Sequence, residues 1–509
     1  MPFSSSRPQT LFLLVALASS WLCATIPVFS QEAYYWTYAQ HPDLSYFDHP
    51  PMVAWMIWLG TAVFGDGAIG IRLGTWACGM TTTWLGWRML RDFGIDATGQ
   101  SAWLVLSLAS PILAMVHMLA NPDPPLVCGW TVAMYALWKA RQGDLRWWLL
   151  AGLAAGFALL GKYTAGFLLF SGIAVLLLDA PMRRQLLRPG PYIAVVLAAA
   201  VFLPVVIWNA RNHFESFRFQ TENRLQQADL GFRWLGELLA SQFGVLHPTV
   251  FLLLPFAVIW LARRLRHDPR ALWLLAFGLP LPLYLLVNSL WIQVKVNWLA
   301  PAYVPLLLGL VIAWREGTLQ VRHPTLVRVA GASMWLTLIA VPLAPLIRLV
   351  PSGKGSSWSG WHEIAARADA WEDKIDAADG SEGNVFFFAA DYRDAAQLGL
   401  GLKVLWRHKP TAAVGAGRQD DGEPVLAQNV ISRPALQFDH WAQPEDRVGQ
   451  DAIFVLTRPD DREAIVDAVR EHFASIDKVE RVEIVHLGIR LLEADIYVCR
   501  AYCGPHKRE

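Results

Sequence analysis

The stretch Thr10–Phe29, TLFLLVALASSWLCATIPVF, decides the class of this chain. It carries no charge over about 20 residues, the length a helix needs to cross roughly 30 Å of hydrocarbon. Arg7 ahead of it and the small residues Ala24 and Ser30 near its end would also suit a secretory signal. Blocks of the same length and character follow, so the stretch reads as a first, retained membrane span. They fall near 68–88, 101–119, 125–139, 147–161, 163–180, 191–209, 244–262, 271–290, 298–314 and 329–350. With the first they make about eleven transmembrane helices. The block 51–64 is shorter and headed by Pro50-Pro51, and is predicted to be an interfacial helix lying along the membrane.

Composition agrees. A 509-residue chain with 54% hydrophobic and 17% charged residues is too apolar for an ordinary soluble protein. The formal net charge of +1 gives no reason to expect a nucleic-acid partner. Basic residues set the predicted topology, because Lys and Arg near span ends favour the cytoplasm. Alternate loops hold Arg88 and Arg91; Lys139, Arg141 and Arg146; Arg183, Arg184 and Arg188; Arg263, Arg264, Arg266 and Arg270; and Arg315, Arg322 and Arg328. The intervening loops are short, Arg-poor or mixed in charge. This places the N-terminus in the cytoplasm and the end of the chain on the outer face of the membrane.

From about 351 the pattern becomes that of a soluble α/β domain, giving two predicted domains, 1–350 and 351–509. Strand-like runs at 384–390, 452–457 and 496–501 alternate with amphipathic stretches at 361–377 and 461–476. Gly and Asp residues at 414–422 read as a loop. Cys23, Cys78 and Cys128 read as buried thiols, and Cys499 and Cys503 are close enough in sequence for a disulfide to be conceivable.

The candidate chemistry lies in the loops predicted to face outward. The first, 30–67, contains Gln31-Glu32-Ala33-Tyr34-Tyr35-Trp36 and then Ser45-Tyr46-Phe47-Asp48-His49-Pro50-Pro51-Met52. Acids beside apolar walls have raised carboxyl pKa values, which suits them to proton abstraction. The next turn is Asn121-Pro122-Asp123-Pro124-Pro125, where Asp123 also makes a good helix start. Lys162 stands between two apolar blocks, on the face where a lysine is least expected. Arg72, His213 and Lys295 add to this cluster. Taken together, Glu32, Asp48, Asp123, Lys162, His213 and Lys295 come from five outer segments, all on one side. Acids and cations at a membrane surface suit chemistry on a lipid phosphate: cations hold the phosphate as it leaves, and a carboxylate takes a proton from the acceptor. A transporter or lipid-linked-sugar flippase is the alternative from another class, but it would place its charges near mid-membrane.

Glu32-Ala33-Tyr34-Tyr35-Trp36 with Tyr46-Phe47-Asp48-His49-Pro50-Pro51-Met52 resembles the first-loop signature of the protein O-mannosyltransferase and lipid A aminoarabinose transferase superfamily. Asn121-Pro122-Asp123, Gly161-Lys162-Tyr163-Thr164, Trp208-Asn209-Ala210 with Ser216-Phe217-Arg218-Phe219-Gln220, and Lys295-Val296-Asn297-Trp298 resemble its later motifs in order. The resemblance implies a GT-C fold, a polyprenyl-phosphate-linked sugar donor, a lipid, glycan or protein acceptor, and catalysis on the periplasmic face. It also implies that a first-loop acid pair supplies the base and that Asp48 and Asp123 line the site. Arg72, Lys162, Lys295, Tyr35, Asn209 and His213 are then the residues to hold the donor phosphate. Relatives can carry a divalent metal ion near the first-loop acid, for which Asp48, His49 and His213 are the candidate ligands.

The sequence departs from the signature at Gln31, where the first acid of the pair usually stands. An amide is no base. Either Glu32 or Asp48 has taken over, or the acceptor is already ionised, or the chain is a catalytically weak relative.

Overall fold

A computed structural model of the chain describes residues 8–225, 230–317, 319–343, 345, 359–379, 385–408, 425–441, 443–457, 461–486 and 488–505. The predicted loop at 414–422 lies outside them. The chain divides into two compact units. One comprises residues 1–25, 43–56 and 72–345; the other comprises 26–42, 57–71 and 346–509.

The first unit is helical. Among the described residues, five helices are long and apolar enough to cross a membrane: Pro8–Thr25, Gly190–Arg211, and the helical stretches Pro269–Asn288, Val296–Glu316 and Pro324–Leu343. Two bent pairs bring the number to seven. The block at 101–119, read from sequence as a single span, is broken, and that at 244–262 begins at a sharp bend. Ala97–Ala109 and Pro111–Met118 meet at 71°, and Arg233–Val245 and Pro248–Ala262 at 107°. Proline explains both, since it lacks the N–H of a continuing helix and pushes the residue before it out of the helical region. Ser110 before Pro111 is extended, and His247 before Pro248 has φ +81°. The core is packed by large rings that are fully buried, among them Trp103, Trp130 and Trp273. Between helices in a bilayer such rings hold by close van der Waals packing, since lipid is as apolar as they are.

The connecting loops of this unit fall into two sets, and the ion pairs and hydrogen bonds described below join loops within a set. In the basic set, aspartates cap helix starts and receive arginines from neighbouring loops. Asp96 caps Ala97–Ala109 and pairs with Arg315. Asp179 caps Ala180–Gln185 and binds Arg141 through both carboxylate oxygens. Asp268 caps Pro269–Gly278 beside Arg270, which also reaches Glu316 at 2.8 Å. Lys139 meets Asp92 at 3.1 Å. A carboxylate at a helix start satisfies free N–H groups and favours the positive end of the dipole.

In the second unit, strands β1 (Val385–Ala389), β2 (Asp451–Leu456), β3 (Phe473–His486) and β4 (Ile489–Tyr502) form a sheet in the order β1-β2-β4-β3. The β1–β2 pair is parallel and the others antiparallel. Phe386 and Phe388 face Phe454, Phe473 and Tyr502 in its core. The stretch 461–476, read as one amphipathic element, is a helix at Arg462–Arg470 followed by the start of β3. Cys499 is buried, Cys503 is exposed, and both are free. Residues 30–40, read as part of a loop, form the helix Ser30–Gln40, which packs on Tyr392–His408 of the same unit. The predicted interfacial segment is the helix Met52–Phe64.

Candidate active site

The centre of the candidate site is a buried triangle. Asp123 opens the helix Asp123–Ala140, whose first turn takes Pro124 and Pro125 because no N–H is needed there. The helix Leu145–Gly161 ends at Lys162, whose backbone is extended, and this aims the side chain back at Asp123. Lys162 Nζ lies 2.8 Å from Asp123 Oδ1, with side chains only 10% and 5% exposed. Asn297, in the turn Val296–Leu299, donates its Nδ2 to Asp123 Oδ2. Gly161 permits this approach, since a Cβ there would come within 2.9 Å of the Leu126 nitrogen.

Tyr163 extends the cluster. Its hydroxyl is 2.7 Å from Ser216 Oγ, and Ser45, Asn209 and the Asp48 carboxylate lie in its neighbourhood. Asn209 is itself fixed, donating to the Val205 carbonyl at 2.9 Å and accepting the Phe217 N–H at 3.3 Å. Asp48 is buried. Its backbone carbonyl accepts Gln220 Nε2 at 2.7 Å, and beside it the rings of Phe47 and Phe219 pack at 4.8 Å. Trp208 Nε1 donates to Asp43 Oδ2 at 2.8 Å. These contacts join the loops outside the basic set.

The two further predicted cations have surroundings of their own. Arg72 is fully buried in Ala68–Asp92 and donates to the Cys23 carbonyl at 3.0 Å. Lys295 is exposed, immediately before the turn that carries Asn297. His213 is exposed, has φ +52°, and makes no hydrogen bond or ion pair among the described residues. It does not join the cluster, because the backbone turns left-handed there and at Phe214.

Glu32 and Tyr35 belong to the second unit. Glu32 is wholly buried, and its Oε2 accepts the Phe29 N–H at 2.8 Å, so it caps its own helix. Tyr35 packs with Tyr34 and edge-on against Tyr38. Nearby, Trp36 Nε1 donates to Asp66, which pairs with Arg407 at 3.2 Å. Gln31 lies half-buried in the first turn of the helix.

Asp48, His49 and His213 do not form a three-ligand group, His213 being out at the surface. Among the described residues such a group occurs at Asp369, Glu372 and Asp373, on one face of the helix Trp361–Asp379. Tyr163, Ser216, Gln220 and Asn297 had no role assigned from sequence, although each lies inside a motif already noted. Their signal was position within those motifs, since a neutral side chain carries no charge anomaly to single it out.

The family described as dolichyl-phosphate-mannose-protein mannosyltransferase matches residues 48–208. A lipid A galacturonosyltransferase of Rhizobium johnstonii is 31% identical over 359 residues, covering 67% of this chain and 72% of that protein. An undecaprenyl phosphate-α-4-amino-4-deoxy-L-arabinose arabinosyl transferase of Pseudomonas savastanoi is 30% identical over 177 residues. That match spans about a third of each chain, 33% of this one and 32% of the other. Among solved structures, ArnT of Cupriavidus metallidurans in the apo state aligns with TM-score 0.59 and 16% identity over 96% of this chain and 97% of that one. The same protein bound to undecaprenyl phosphate aligns with TM-score 0.59 over 98% and 99%. The likeness to ArnT is one of fold.

Proposed function

The chain belongs to the GT-C membrane glycosyltransferases, and on that footing we propose that it moves a sugar from an undecaprenyl-phosphate-linked donor to the sugar headgroup of a lipid A-type acceptor. The observation that carries this reading is the clustering of Asp48, Asp123, Lys162, Tyr163, Asn209 and Asn297, drawn from five separate segments and largely buried. The donor class follows the names of the aminoarabinose transferases, and the acceptor class that of the galacturonosyltransferase.

In this reading the acceptor hydroxyl gives its proton to Asp48 and its oxygen attacks the anomeric carbon. The bond from that carbon to the phosphate oxygen breaks on the opposite face, so configuration inverts. The polyprenyl phosphate departs with the bonding electrons, stabilised by Lys162, Arg72 and Lys295. Asp123 and Asn297 act as positioning residues that hold the Lys162 ammonium in place. Asp48 is preferred over Glu32 as the base, because the Glu32 carboxylate is engaged in capping its helix. The amide at Gln31 favours one further variant, an acceptor phosphate that needs no base. A metal near Asp48 would have to draw on ligands other than His213.

The reading further takes the chain to cross a bacterial inner membrane about eleven times. The N-terminus is cytoplasmic, and residues 351–509 form a soluble periplasmic domain. The separation of the loops into two contact sets supports that alternation.

The test is transfer in membrane vesicles supplied with undecaprenyl-phosphate-linked aminoarabinose or galacturonic acid and with lipid A, read by mass spectrometry. The wild-type protein should add one sugar per acceptor, and Asp48→Asn should abolish this at an unchanged level of protein. Full transfer by Asp48→Asn removes it as the base. Absence of wild-type transfer from both donors removes the donor assignment.

A further inference from the structure

Well away from Asp123, four helices of the first unit leave a crevice unfilled. It lies between Ala97–Ala109, Pro248–Ala262, Ala300–Glu316 and Pro324–Ala340 and leaves about 580 Å³ of empty space, part of it open to the surroundings. Val105, Leu253, Val311, Trp314, Ala330 and Met334 are among its lining, which is apolar apart from one indole nitrogen. Trp314 is about five turns beyond Asn297, roughly 25 Å along the helix. From Val327 to Met334 the crevice runs about 10 Å along its own helix. At Leu319 and Val327 its end adjoins the loops of the basic set.

Charge at that end is uneven. Arg141, Arg270 and Arg315 each have a carboxylate partner. Arg264, Arg322 and Arg328 have none among the described residues. Leu319 and Val327 line the crevice, and Arg322 and Arg328 follow them closely in sequence. Arg264 lies 3.8 Å over the ring of Trp260, which abuts Gly317 at the end of Ala300–Glu316.

We infer that this crevice holds an acyl chain of an anionic phospholipid of the bilayer, with the lipid phosphate against Arg264, Arg322 and Arg328. Guanidinium groups without a carboxylate partner at a membrane surface bind phosphate with charge-assisted hydrogen bonds. A hydrocarbon chain restores the dispersion contacts that an unfilled crevice forgoes. The donor lipid fits less well: its phosphate belongs beside Lys162, about 25 Å away, and its binding would leave these arginines without a counter-charge. The inference goes beyond the proposed transfer reaction and does not depend on it.

The test uses the full-length protein in mild detergent, with retained lipid counted by native mass spectrometry. Phosphatidylglycerol, phosphatidylethanolamine and undecaprenyl phosphate are offered separately and then in competition. One phosphatidylglycerol should be retained, with roughly tenfold preference over phosphatidylethanolamine. The double variant Arg322→Gln/Arg328→Gln should erase most of that preference while eluting like the wild type. Gly331→Leu, which fills the crevice, should lower retention of both phospholipids; if it does not fold, the arginine variant decides alone. Equal retention of the two phospholipids, or an unchanged preference in the arginine variant, overturns the inference. Stoichiometric displacement of phosphatidylglycerol by undecaprenyl phosphate also overturns it, by giving the crevice to the donor tail.

Discussion

Asp123 carries two burdens at once, which complicates the simplest experiment on it. Its carboxylate neutralises a buried lysine and accepts an amide hydrogen bond, so Asp123→Asn strands the Lys162 ammonium. Breaking a buried pair from one side costs about 3–5 kcal/mol, and the single variant should show a lowered thermal midpoint. The double variant Asp123→Asn/Lys162→Met removes the stranded charge. It should recover most of the lost stability while transfer stays abolished, and wild-type transfer by that variant would exclude the triangle from the reaction. Asn297→Ala leaves one carboxylate oxygen without its donor. It should cost roughly 1–3 kcal/mol and weaken transfer without eliminating it, as parallel unfolding and activity measurements will show. Gln31→Asp adds negative charge in the first turn of a helix, worth about 0.3–1 kcal/mol in favour of folding. If that variant transfers faster than wild type, the amide is a catalytic handicap; if its rate is unchanged, the base lies elsewhere.

At the scale of elements, the edge hairpin β3–β4 is held by a charge cluster. Asp495, wholly buried, receives Arg462 at 3.0 Å and Lys478 and Arg481 at 2.8 Å. Burial pushes its carboxyl up, but hydrogen bonds from Arg481 and Lys478 and the nearby Arg462 charge outweigh this and hold it below the usual carboxylate range. The stabilisation is therefore whole above the unfolded value, near 4, and is lost as pH falls through the lower folded value. Asp495→Asn should destabilise by roughly 2 kcal/mol at pH 7, and thermal melts of variant and wild type should converge in strong acid. The hairpin was also the element least legible in sequence. β3 reads Phe473-Ala-Ser-Ile-Asp-Lys-Val-Glu-Arg-Val, with charges facing Asp495 and Glu493 rather than a regular polar alternation, and its start looked like the tail of a helix. β1 and β2 were legible because both are buried along nearly their whole length and read as unbroken apolar runs.

For the whole molecule, long apolar runs made the membrane class plain, and basic residues sorted the loops. What stayed hidden were bends at prolines, of 71° within one run and of 107° at the start of another. Also hidden was the grouping of residues 26–42 with the far end of the chain, since such contacts leave no local pattern. The grouping was legible where charge stood out, at Asp48, Asp123 and Lys162, whereas the capping bond of Glu32 leaves no mark in sequence. The proposed sidedness has a native probe. Cys503 is the exposed thiol among otherwise buried cysteines. In intact spheroplasts a membrane-impermeant maleimide should label it, and it should label His213→Cys in a Cys503→Ser background but not Gly143→Cys until the membrane is opened. The reverse pattern would invert the topology.

The Asp123–Lys162 pair also bears on how such a protein could lose its activity over generations. Neither residue can be exchanged alone without passing through a form that buries a lone charge, so both persist under selection for folding even after selection for turnover is relaxed. A descendant that keeps the pair has therefore been kept foldable and nothing more.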